Sequence, residues 1–464
     1  MIALRASEIA KIVGGALHGD DVVISAPSFI SSSQCTEGSI FIALKGERVD
    51  GHDFVDEAFA HGAILALVDH LVDQRCIVVG DVALALADLA RYVRANLPNL
   101  VVIGITGSQG KTTTKELLYS VLSTKFETVA PRGNHNNELG VPLTLLQCTD
   151  STRYCIVEMG ARHIGDIAHL CSIALPNIGV VLRVAAAHLG EFGSLENIAQ
   201  AKSEMISSLA SDGIAILGDY DSFTPQMKDL HPAMVLSFGE NAHNDVRAAD
   251  IGLRDGRAHF DLVTPDGRSP VALRLLGMHQ IANALAAATI AHAVGMDSEE
   301  ISGALSLAQS NAAWRMELHE LPDLLLINDS YNASPDSMEA ALRTLAHLSQ
   351  ERGGESWAFI GKMAELGESS PAEHASIGTL ASEIGIDHLV AIAAPEYGGA
   401  LIDSGSTSLH ISRDKSQALE LLAFMNRGDV VLVKASRSEK FEELARDIEA
   451  YWMNKIENET VDKA

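Results

Sequence analysis

A glycine-rich stretch at residues 105–118, ITGSQGKTTTKELL, contains the residue types that hold a phosphate chain. It lies between an apolar run and a helical pattern of apolar residues, so the expected order is strand, loop and helix. Gly107 and Gly110 allow backbone amides to turn towards an anion. Lys111 can reach the terminal phosphates, and the Thr112 hydroxyl can bind Mg²⁺. The remaining members of this predicted nucleotide loop are Ser108, Gln109 and Thr113.

The match to the standard eight-residue phosphate loop is incomplete, because the first glycine of that pattern is missing here. The alternative interpretation is a glycine turn followed by a solvated lysine. A nucleotide loop alone also does not identify a reaction. The residues that distinguish one reaction from another must therefore lie further along the chain.

Two polar residues at the ends of predicted strands extend the nucleotide site. Glu158 closes the apolar run YCIVE, and His188 follows the run NIGVVLRV. Ligands bind at the carboxyl ends of the strands in open α/β sheets. With Thr112, these residues offer oxygen and nitrogen ligands to Mg²⁺, which prefers oxygen. Taken singly, each is equally well explained as a structural residue, and Lys202 on the next predicted helix is typical of a surface lysine.

The segment GNHNNELGVPLTLL at residues 133–146 has three asparagines between its glycines. This is more side-chain amide than a plain turn needs. Asn134, Asn136 and Asn137 are therefore predicted to contact substrate or phosphate. The alternative is that they cap the helix that follows.

The composition excludes several classes of function. The chain has 34 basic and 61 acidic residues, and its net charge of −27 would repel a nucleic-acid backbone or an anionic membrane. No segment reaches the roughly 18 uninterrupted apolar residues of a membrane span. Five cysteines without metal-ligand spacing are expected to be reduced thiols in a cytoplasmic protein. We therefore expect neither nucleic-acid binding nor membrane insertion.

Strand-like and helical segments alternate along most of the 464 residues, which predicts an α/β fold with mainly parallel sheets. This length suggests about three domains. Residues 240–275 alternate apolar and polar side chains around Asp-Gly turns and are predicted to form an antiparallel insertion. A docking helix is expected near the C-terminus, with Phe441, Leu444, Ile448 and Trp452 on one face. The predicted domains are 1–98, 99–312 and 313–464.

Several of these stretches occur in the order and spacing of the Mur ligases, and the chain resembles that family over nearly its whole length. They are TGSQGKTTTKE, GNHNNELGVPLTLL, EMGARHIGDIAHL, AAAHLGEFGSLENIAQAKSEM, GMHQIANALAAATIA, INDSYNASPDSMEAAL, KMAELGE and VKASRS, with LKGERVDGHDF in the first domain. NDSYNA and GNHNNELG favour the members that add a dipeptide over those that add one amino acid. The same two stretches argue against a folylpolyglutamate synthase-like enzyme, and a nucleotide-dependent switch protein should not need Glu158, His188 and Lys202 together.

The resemblance implies an N-terminal domain for the UDP end of the substrate, a central P-loop ATPase and a C-terminal Rossmann-like domain for the incoming dipeptide. It implies that ATP phosphorylates the terminal carboxylate of UDP-N-acetylmuramoyl-tripeptide. The amine of D-alanyl-D-alanine then displaces phosphate, which gives the pentapeptide precursor of peptidoglycan. The family also implies a cytoplasmic monomer whose domains close on binding.

The resemblance further implies roles for single residues at the ATP site. Thr112 and Glu158 would serve one Mg²⁺ and His188 a second. Lys202 matches the lysine that this family carbamylates, and it would hold the second Mg²⁺ indirectly through that anion. The implied catalytic residues are Lys111, Asn134, His188 and Lys202.

Other matched positions are implied to contact the nucleotide or the dipeptide. Asn283 would face the adenine, and Arg315 and Asp329 would reach the nucleotide. His279 would either help there or cap a helix. Arg437 would pair with the dipeptide carboxylate, since its planar fork suits that group. The residues implied to line the dipeptide end are Tyr331, Asn332, Lys434, Ser436 and Arg437, while Asn136 and Asn137 are the other implied substrate contacts.

Five positions depart from the family pattern. Ser31-Ser32-Ser33 stands where an Asp-Ser/Thr-Arg triplet is usual, so a cationic contact to the UDP end is missing. Arg183 replaces an asparagine, Lys362 an aspartate and Ala435 a glycine. The ATP and metal positions are intact, so an active ligase is expected. The third residue of the acceptor peptide, meso-diaminopimelate or lysine, is not readable from the sequence.

Overall fold

The computed structural model describes residues 1–46, 48–131, 133, 135–186, 189–230, 234–309, 313–399 and 407–461. The chain divides into two compact units. The first contains Met1–Arg183, Ala199–Phe238 and Ala286–Met296, and the second contains Val184–Ile198, Gly239–Leu285 and Asp297–Ala464. The fold is α/β, as predicted. Among the described residues, no helix is both long enough and apolar enough to cross a lipid bilayer.

The N-terminal part of the first unit is built on a five-stranded sheet. Its elements are β1 (Leu4–Arg5), α1 (Ala6–Ile12), β2 (Ala16–His18), β3 (Val23–Ile24), β4 (Ser28–Phe29), β5 (Ser39–Ile42), α2 (Val55–Ala60), β6 (Ala63–Val68), β7 (Cys76–Val78) and α3 (Val82–Ala95). The strand order is β2-β7-β6-β5-β4, and only the β2–β7 pair is antiparallel. The carboxyl ends of β4, β5 and β6 therefore lie at one edge.

The P-loop region follows and lies mostly in the same unit, except for residues 184–198 and Gly239, which belong to the second unit. Its elements are β8 (Val101–Thr106), α4 (Lys111–Leu122), β9 (Thr128–Val129), α5 (Gly140–Leu145), β10 (Tyr154–Glu158), α6 (Asp166–Ala174), β11 (Ile178–Val181), α7 (Leu189–Phe192), α8 (Leu195–Ser207), β12 (Ile214–Gly218) and β13 (Met234–Gly239). These six strands pair in parallel in the order β13-β12-β11-β8-β10-β9. The ends of β8 and β10 are neighbours, which places Glu158 beside the start of the phosphate loop.

The predicted antiparallel insertion is confirmed in the second unit. Three strands, β14 (Val246–Arg254), β15 (Arg257–Thr264) and β16 (Gly267–Leu276), pair as two hairpins. They are followed by α9 (Gln280–Ala293) and α10 (Ser298–Leu307). Asp-Gly pairs stand in both hairpin turns, at Asp255-Gly256 and Asp266-Gly267, as the turn chemistry predicts.

The C-terminal part of the second unit has a six-stranded sheet. Its elements are β17 (Glu317–Leu321), β18 (Leu324–Asn328), α11 (Pro335–Arg352), β19 (Ser356–Ile360), α12 (Ser370–Glu383), β20 (His388–Ile392), β21 (Ser408–Ser412), α13 (Lys415–Leu419), β22 (Val430–Lys434) and α14 (Phe441–Val461). The order is β17-β18-β22-β19-β20-β21, and only the β17–β18 pair is antiparallel. This mainly parallel sheet is the expected Rossmann-like arrangement.

Alternating residues of the central strands supply two separate cores, one on each face of the six-stranded sheet. Ala358 and Ile360 pack into one core, whereas Trp357 and Phe359 pack into the other. A strand directs successive side chains to opposite faces, so a strand buried on both faces needs apolar residues throughout. The predicted face of the terminal helix lies in the second core through Phe441, Leu444, Ile448 and Trp452. The docking-helix prediction is confirmed.

Candidate active site

The phosphate loop connects β8 to α4 and has the backbone geometry that its glycines predict. Gly107 has φ +153° and Gly110 has φ +82°, conformations that L side chains rarely adopt. A Cβ at Gly107 would also lie only 2.9 Å from the Cβ of Leu182. The Ser108 amide donates to the Arg183 carbonyl at 2.9 Å, and Lys111 Nζ donates to the Gly107 carbonyl at 2.6 Å. Helix α4 begins at Lys111, directly after the loop, so its amino end lies where an anion site requires it.

Glu158 is the centre of a buried hydrogen-bond network beside this loop. Its side chain is 1% exposed at the end of β10. Thr112 Oγ1 donates to Glu158 Oε2 at 3.0 Å, and Asn136 Nδ2 donates to Glu158 Oε1 at 2.9 Å. The structure thus brings together three of the predicted residues. A hydroxyl, a carboxylate and an amide form a set of oxygen donors that suits Mg²⁺, so these residues fit the metal that the family implies.

Lys202 lies on α8 and is 3% exposed, so it is not the surface lysine that its position alone suggested. Burial, together with the charge of Lys111, lowers the pKa of its amine to about 7, although Asp166 and Glu204 act in the opposite direction. The neutral amine is the nucleophilic form of a lysine. A substantial fraction of Lys202 is therefore in this form near neutral pH.

The titration of Lys202 gives a direct test of this environment. Between pH 7 and 10.5 the Lys202 amine binds fewer protons in the folded protein than in the unfolded chain, so the contribution of Lys202 to stability increases with pH in that window. In protein labelled at the lysine ε-carbons and kept free of bicarbonate, we expect one NMR signal to titrate near pH 7. That signal should be absent from Lys202→Met. A Lys202 midpoint near pH 10, where the exposed lysines titrate, would contradict the burial argument.

The remaining predicted residues of the central part of the chain have mixed outcomes. Asn134 and His188 lie outside the described residues, so their predicted roles stay predictions. Asn137 Oδ1 accepts a hydrogen bond from the Gly140 amide at 3.0 Å, which is the capping contact considered as the alternative. Gln109 and Thr113 are partly buried in the loop and first turn of α4. No contact described here tests their role at phosphate.

In the second unit, Asn283 is buried on α9 and belongs to a short amide chain. Its Nδ2 donates to Gln280 Oε1 at 2.8 Å, and Gln280 Nε2 donates to His279 Nε2 at 2.9 Å. Burial lowers the pKa of His279 to about 4, so its ring is neutral at pH 7 and can accept that bond. The network orients the Asn283 amide. Its predicted contact with adenine stays a prediction.

Asp329 and Lys434 form a buried ion pair at the ends of the adjacent strands β18 and β22. Lys434 Nζ lies 2.5 Å from Asp329 Oδ2 and also donates to the Asn332 carbonyl at 2.8 Å. The other carboxylate oxygen of Asp329 accepts from the Met316 amide at 3.1 Å. Two residues predicted for different substrates are therefore paired with each other, and the pair orders the main chain around them.

Two arginines of this unit stack on aromatic rings. Arg315 lies 4.0 Å from the ring centre of Tyr331, and Arg437 lies 4.4 Å from the ring centre of Trp314. Arg437 Nη1 also donates to Glu442 Oε1 at 2.7 Å. These contacts fix the plane of the Arg437 guanidinium while its side chain remains 48% exposed. An arginine held in this way is suited to bind a carboxylate.

Lys362 and Arg183, two of the residues that depart from the family pattern, form hydrogen bonds through their main-chain carbonyls. The Lys362 side chain is exposed, and its carbonyl accepts from the Ser436 amide at 3.0 Å. Ser436 Oγ in turn accepts from the Ala364 amide at 2.8 Å. Ala435 is fully buried, so its methyl group is accommodated. The Arg183 contact with the phosphate loop is likewise a backbone contact.

At the edge formed by β4, β5 and β6, the side chains of the serine triplet form hydrogen bonds with neutral or acidic groups among the residues that the structure describes. Ser31 Oγ and Ser33 Oγ are 3.1 Å apart, and Ser32 Oγ donates to Glu57 Oε2 at 2.8 Å. Ser33 is exposed. The cationic contact of the family triplet is therefore not reproduced within the triplet.

One group of three metal-capable side chains occurs in the part of the chain described, and it lies at this same edge. Asp69 Oδ1 is 3.2 Å from His52 Nε2 and 2.5 Å from His70 Nδ1. The imidazole rings are stacked, with centres 4.1 Å and planes 23° apart. His52 is further bound to Asp50 at 2.6 Å. We assign this group to local structure, not to a metal centre.

Sequence reasoning missed several residues that the site depends on. Lys115 is buried one helical turn beyond Lys111, and that spacing alone was a usable signal. Glu204 accepts hydrogen bonds from the Gly165 and Ala168 amides and so ties the helix of Lys202 to the start of α6. Trp314 supports Arg437 with φ +61°, a rare conformation for a bulky residue. Neither of the last two contacts has a local sequence signal.

Comparisons with known proteins agree with this geometry. Three family models match consecutive parts of the chain: "Mur ligase family, catalytic domain" at 29–104, "Mur ligase middle domain" at 105–291 and "Mur ligase, glutamate ligase domain" at 314–437. The UDP-N-acetylmuramoyl-tripeptide--D-alanyl-D-alanine ligase of Mycobacterium tuberculosis is 40% identical, over 94% of this chain and 96% of that protein. The chain belongs to the Mur ligase family.

Solved structures are similar to this Mur ligase over its length. A crystal structure of MurF from Acinetobacter baumannii matches with a TM-score of 0.86 and 35% identity, covering 97% of this chain and 99% of that one. MurF from Thermotoga maritima, crystallised in complex with ADP, matches with a TM-score of 0.79 and 32% identity, covering 93% and 98%. The resemblance drawn from the motifs is confirmed.

Proposed function

We propose that this Mur ligase uses ATP to join D-alanyl-D-alanine to UDP-N-acetylmuramoyl-tripeptide, giving the pentapeptide precursor of peptidoglycan. The observation that carries the ATP-dependent chemistry is the convergence of Thr112 and Asn136 on buried Glu158 beside the phosphate loop. The identity of the substrates is supported by relatives that carry this activity in their names and match the chain nearly end to end.

The first step activates the terminal carboxylate of the tripeptide. A carboxylate oxygen attacks the γ-phosphorus of ATP, the bond from that phosphorus to ADP breaks, and an acyl phosphate forms. Lys111 and the amides at the start of α4 stabilise the charge on the transferring group. Mg²⁺ bound at Thr112 and Glu158 would neutralise further phosphate charge. Thr112, Glu158 and Asn136 hold one another in place before the substrate arrives.

The second step forms the peptide bond. The amine of the dipeptide attacks the carbonyl carbon, a tetrahedral intermediate forms, and the bond to phosphate breaks as the amine loses a proton. We assign the carboxylate of the dipeptide to Arg437, with Tyr331, Asn332, Lys434 and Ser436 around it. The stacked and paired geometry of Arg437 supports this assignment.

Lys202 is proposed to be carbamylated. Its low pKa favours the neutral amine that attacks carbon dioxide, and the product is an anion in place of a cation. We propose that this carbamate, together with His188, serves a second Mg²⁺, and that Asn134 is a catalytic residue along with Lys111 and Lys202. Asn283, Arg315 and Asp329 remain the proposed nucleotide contacts. The domain ranges 1–98, 99–312 and 313–464, a monomeric state and a cytoplasmic location are part of the same proposal.

Isotope transfer tests the proposed activation step. The tripeptide substrate is prepared with ¹⁸O in its terminal carboxylate, and the phosphate released with D-alanyl-D-alanine is analysed by ³¹P NMR. We expect one ¹⁸O atom per phosphate, because the oxygen that attacks phosphorus leaves with it. Phosphate without ¹⁸O would rule out the acyl phosphate and reject this mechanism.

The Trp314 stack gives a prediction about the dipeptide end. Trp314→Gly removes the ring beneath Arg437 and relieves the positive φ at that position. Cation–π contacts at partly exposed sites contribute about 0.5–2 kcal/mol, so we expect the KM for D-alanyl-D-alanine to rise about three- to tenfold. The KM for ATP should be unchanged. Trp314→Phe retains a ring and serves as the control, and an unchanged dipeptide KM in Trp314→Gly would count against the Arg437 assignment.

A further inference from the structure

Lys115 is a buried lysine on α4 that the proposed reaction does not use. Its side chain is 2% exposed. Its Nζ donates to the Pro131 carbonyl at 2.9 Å and to the Gly133 carbonyl at 2.7 Å. A buried ammonium is costly to desolvate unless its protons are hydrogen-bonded. Both carbonyls belong to one short segment, so the lysine fixes that segment to the helix.

The segment that Lys115 holds leads directly to Asn136. The main chain there is fixed a second time, because the Gly160 amide donates to the Asn136 carbonyl at 2.8 Å. The Asn136 side chain then donates to Glu158, and Thr112 donates to the other oxygen of the same carboxylate. The asparagine segment is therefore anchored at its start by Lys115 and further along by the strand end that carries Glu158.

Thr112 and Lys115 close these contacts into a ring. They are three residues apart on α4, a spacing that places two side chains on the same side of a helix. One route joins Lys115 to the Pro131 and Gly133 carbonyls and, from Asn136, reaches Glu158, and the other runs from Thr112 directly to Glu158. If the asparagine segment moved away from α4, the Lys115 bonds would break and the donor to Glu158 Oε1 would be displaced.

We propose that Lys115 is a positioning residue that sets the Asn136–Glu158–Thr112 network for Mg²⁺-dependent nucleotide binding. It acts through the carbonyls of Pro131 and Gly133. This inference rests on the proposed ATP site, but not on the identity of the two substrates that are joined. Its effect is expected in the coupling between Mg²⁺ and nucleotide, because Thr112 and Glu158 are the oxygen ligands that the ring aligns.

Calorimetric titration of ADP at a series of Mg²⁺ concentrations tests this role without any ligase turnover. In Lys115→Met the side chain keeps its length and loses its donors. We expect the half-saturating Mg²⁺ concentration for ADP binding to rise about five- to tenfold. ADP binding measured in EDTA should stay within twofold of the wild type. A residue that merely supported the fold would weaken ADP binding under both conditions.

Two further variants make the test specific. Lys125→Met removes an exposed lysine just beyond the same helix and should behave as the wild type. Asn136→Ala should raise the half-saturating Mg²⁺ concentration by itself, and adding Lys115→Met to it should change little, because both act through one contact. Additive effects of the two substitutions would overturn the inference.

The outcomes separate this inference from the proposed function. Lys115→Met with the Mg²⁺ dependence of the wild type would reject the positioning role and leave the ligase proposal standing. Wild-type protein that binds ADP with Mg²⁺ but joins no dipeptide would reject the ligase proposal and leave the positioning role standing. If Lys115→Met does not fold, Lys115→Gln takes its place, since glutamine keeps polarity but is uncharged and too short to reach both carbonyls. A raised Mg²⁺ requirement in Lys115→Gln supports the role, and an unchanged requirement rejects it.

Discussion

Lys202→Ala is expected to lose ligase activity by about 10²- to 10³-fold, the scale seen when one preorganised charge-stabilising group is removed from an active site. The loss follows from the proposed carbamate, because alanine can neither form that anion nor serve the second Mg²⁺. Steady-state turnover with saturating ATP, tripeptide and dipeptide measures the effect. ADP binding should stay within about threefold of the wild type, since Thr112 and Glu158 are untouched.

Chemical rescue distinguishes the carbamate from other roles of Lys202. Formate or acetate added to Lys202→Ala should restore part of the activity by occupying the space of the missing anion. The same salts should not stimulate the wild type, and Lys228→Ala, which removes an exposed lysine, should have normal turnover. Normal turnover of Lys202→Ala would show that the second-metal assignment is wrong.

Asp329→Asn should destabilise the C-terminal sheet by about 3–5 kcal/mol. Breaking one side of a buried ion pair leaves an uncompensated charge, and Lys434 is only 1% exposed. All three tryptophans of the chain, Trp314, Trp357 and Trp452, lie in this part of the second unit. Urea unfolding followed by tryptophan fluorescence therefore reports on this region and measures the loss directly.

An exposed ion pair of the same region provides the control for Asp329→Asn. Asp323 and Arg427 lie 2.9 Å apart with side chains 55% and 51% exposed, and such pairs contribute about 0–1 kcal/mol. Asp323→Asn should therefore change the unfolding free energy by less than about 1 kcal/mol. The double variant Asp329→Asn with Lys434→Met should lose less than the sum of the two single variants, since both charges are then gone. Equal losses for the buried and exposed pairs would contradict the argument.

Local patterns made the nucleotide half of the site predictable from sequence. The phosphate loop is defined by glycines and a lysine within eight residues, and Glu158 was found because it ends an apolar strand. Strands and helices were predictable for the same reason, since apolar periodicity reports burial along a single element. The Asp-Gly turns of the insertion and the apolar face of α14 follow from equally local rules.

Contacts between distant parts of the chain were not predictable in this way. Asp329 and Lys434 are 105 positions apart, and only the pairing of β18 with β22 brings them together. Lys202 looked exposed because a lysine on a helix usually is, and its burial depends on how α8 packs. Lys115 lies within the loop-helix motif, yet its carbonyl partners belong to a segment whose path the sequence does not give. The sequence gives the position of each of these residues on its helix or strand, but burial and partners depend on segments that are distant in sequence.

The central claim is that ATP hydrolysis is coupled to the addition of a dipeptide. The most direct measurement is phosphate release from ATP with Mg²⁺ and UDP-N-acetylmuramoyl-tripeptide, supplied with either meso-diaminopimelate or lysine at its third position. D-alanyl-D-alanine, D-alanine, L-lysine and L-glutamate are compared as amines, and the product is identified by mass spectrometry. We predict that phosphate and pentapeptide form in equal amounts when the amine is D-alanyl-D-alanine, and that neither forms with the other three amines. Phosphate release with a single amino acid would contradict the account. So would the absence of release with all four amines.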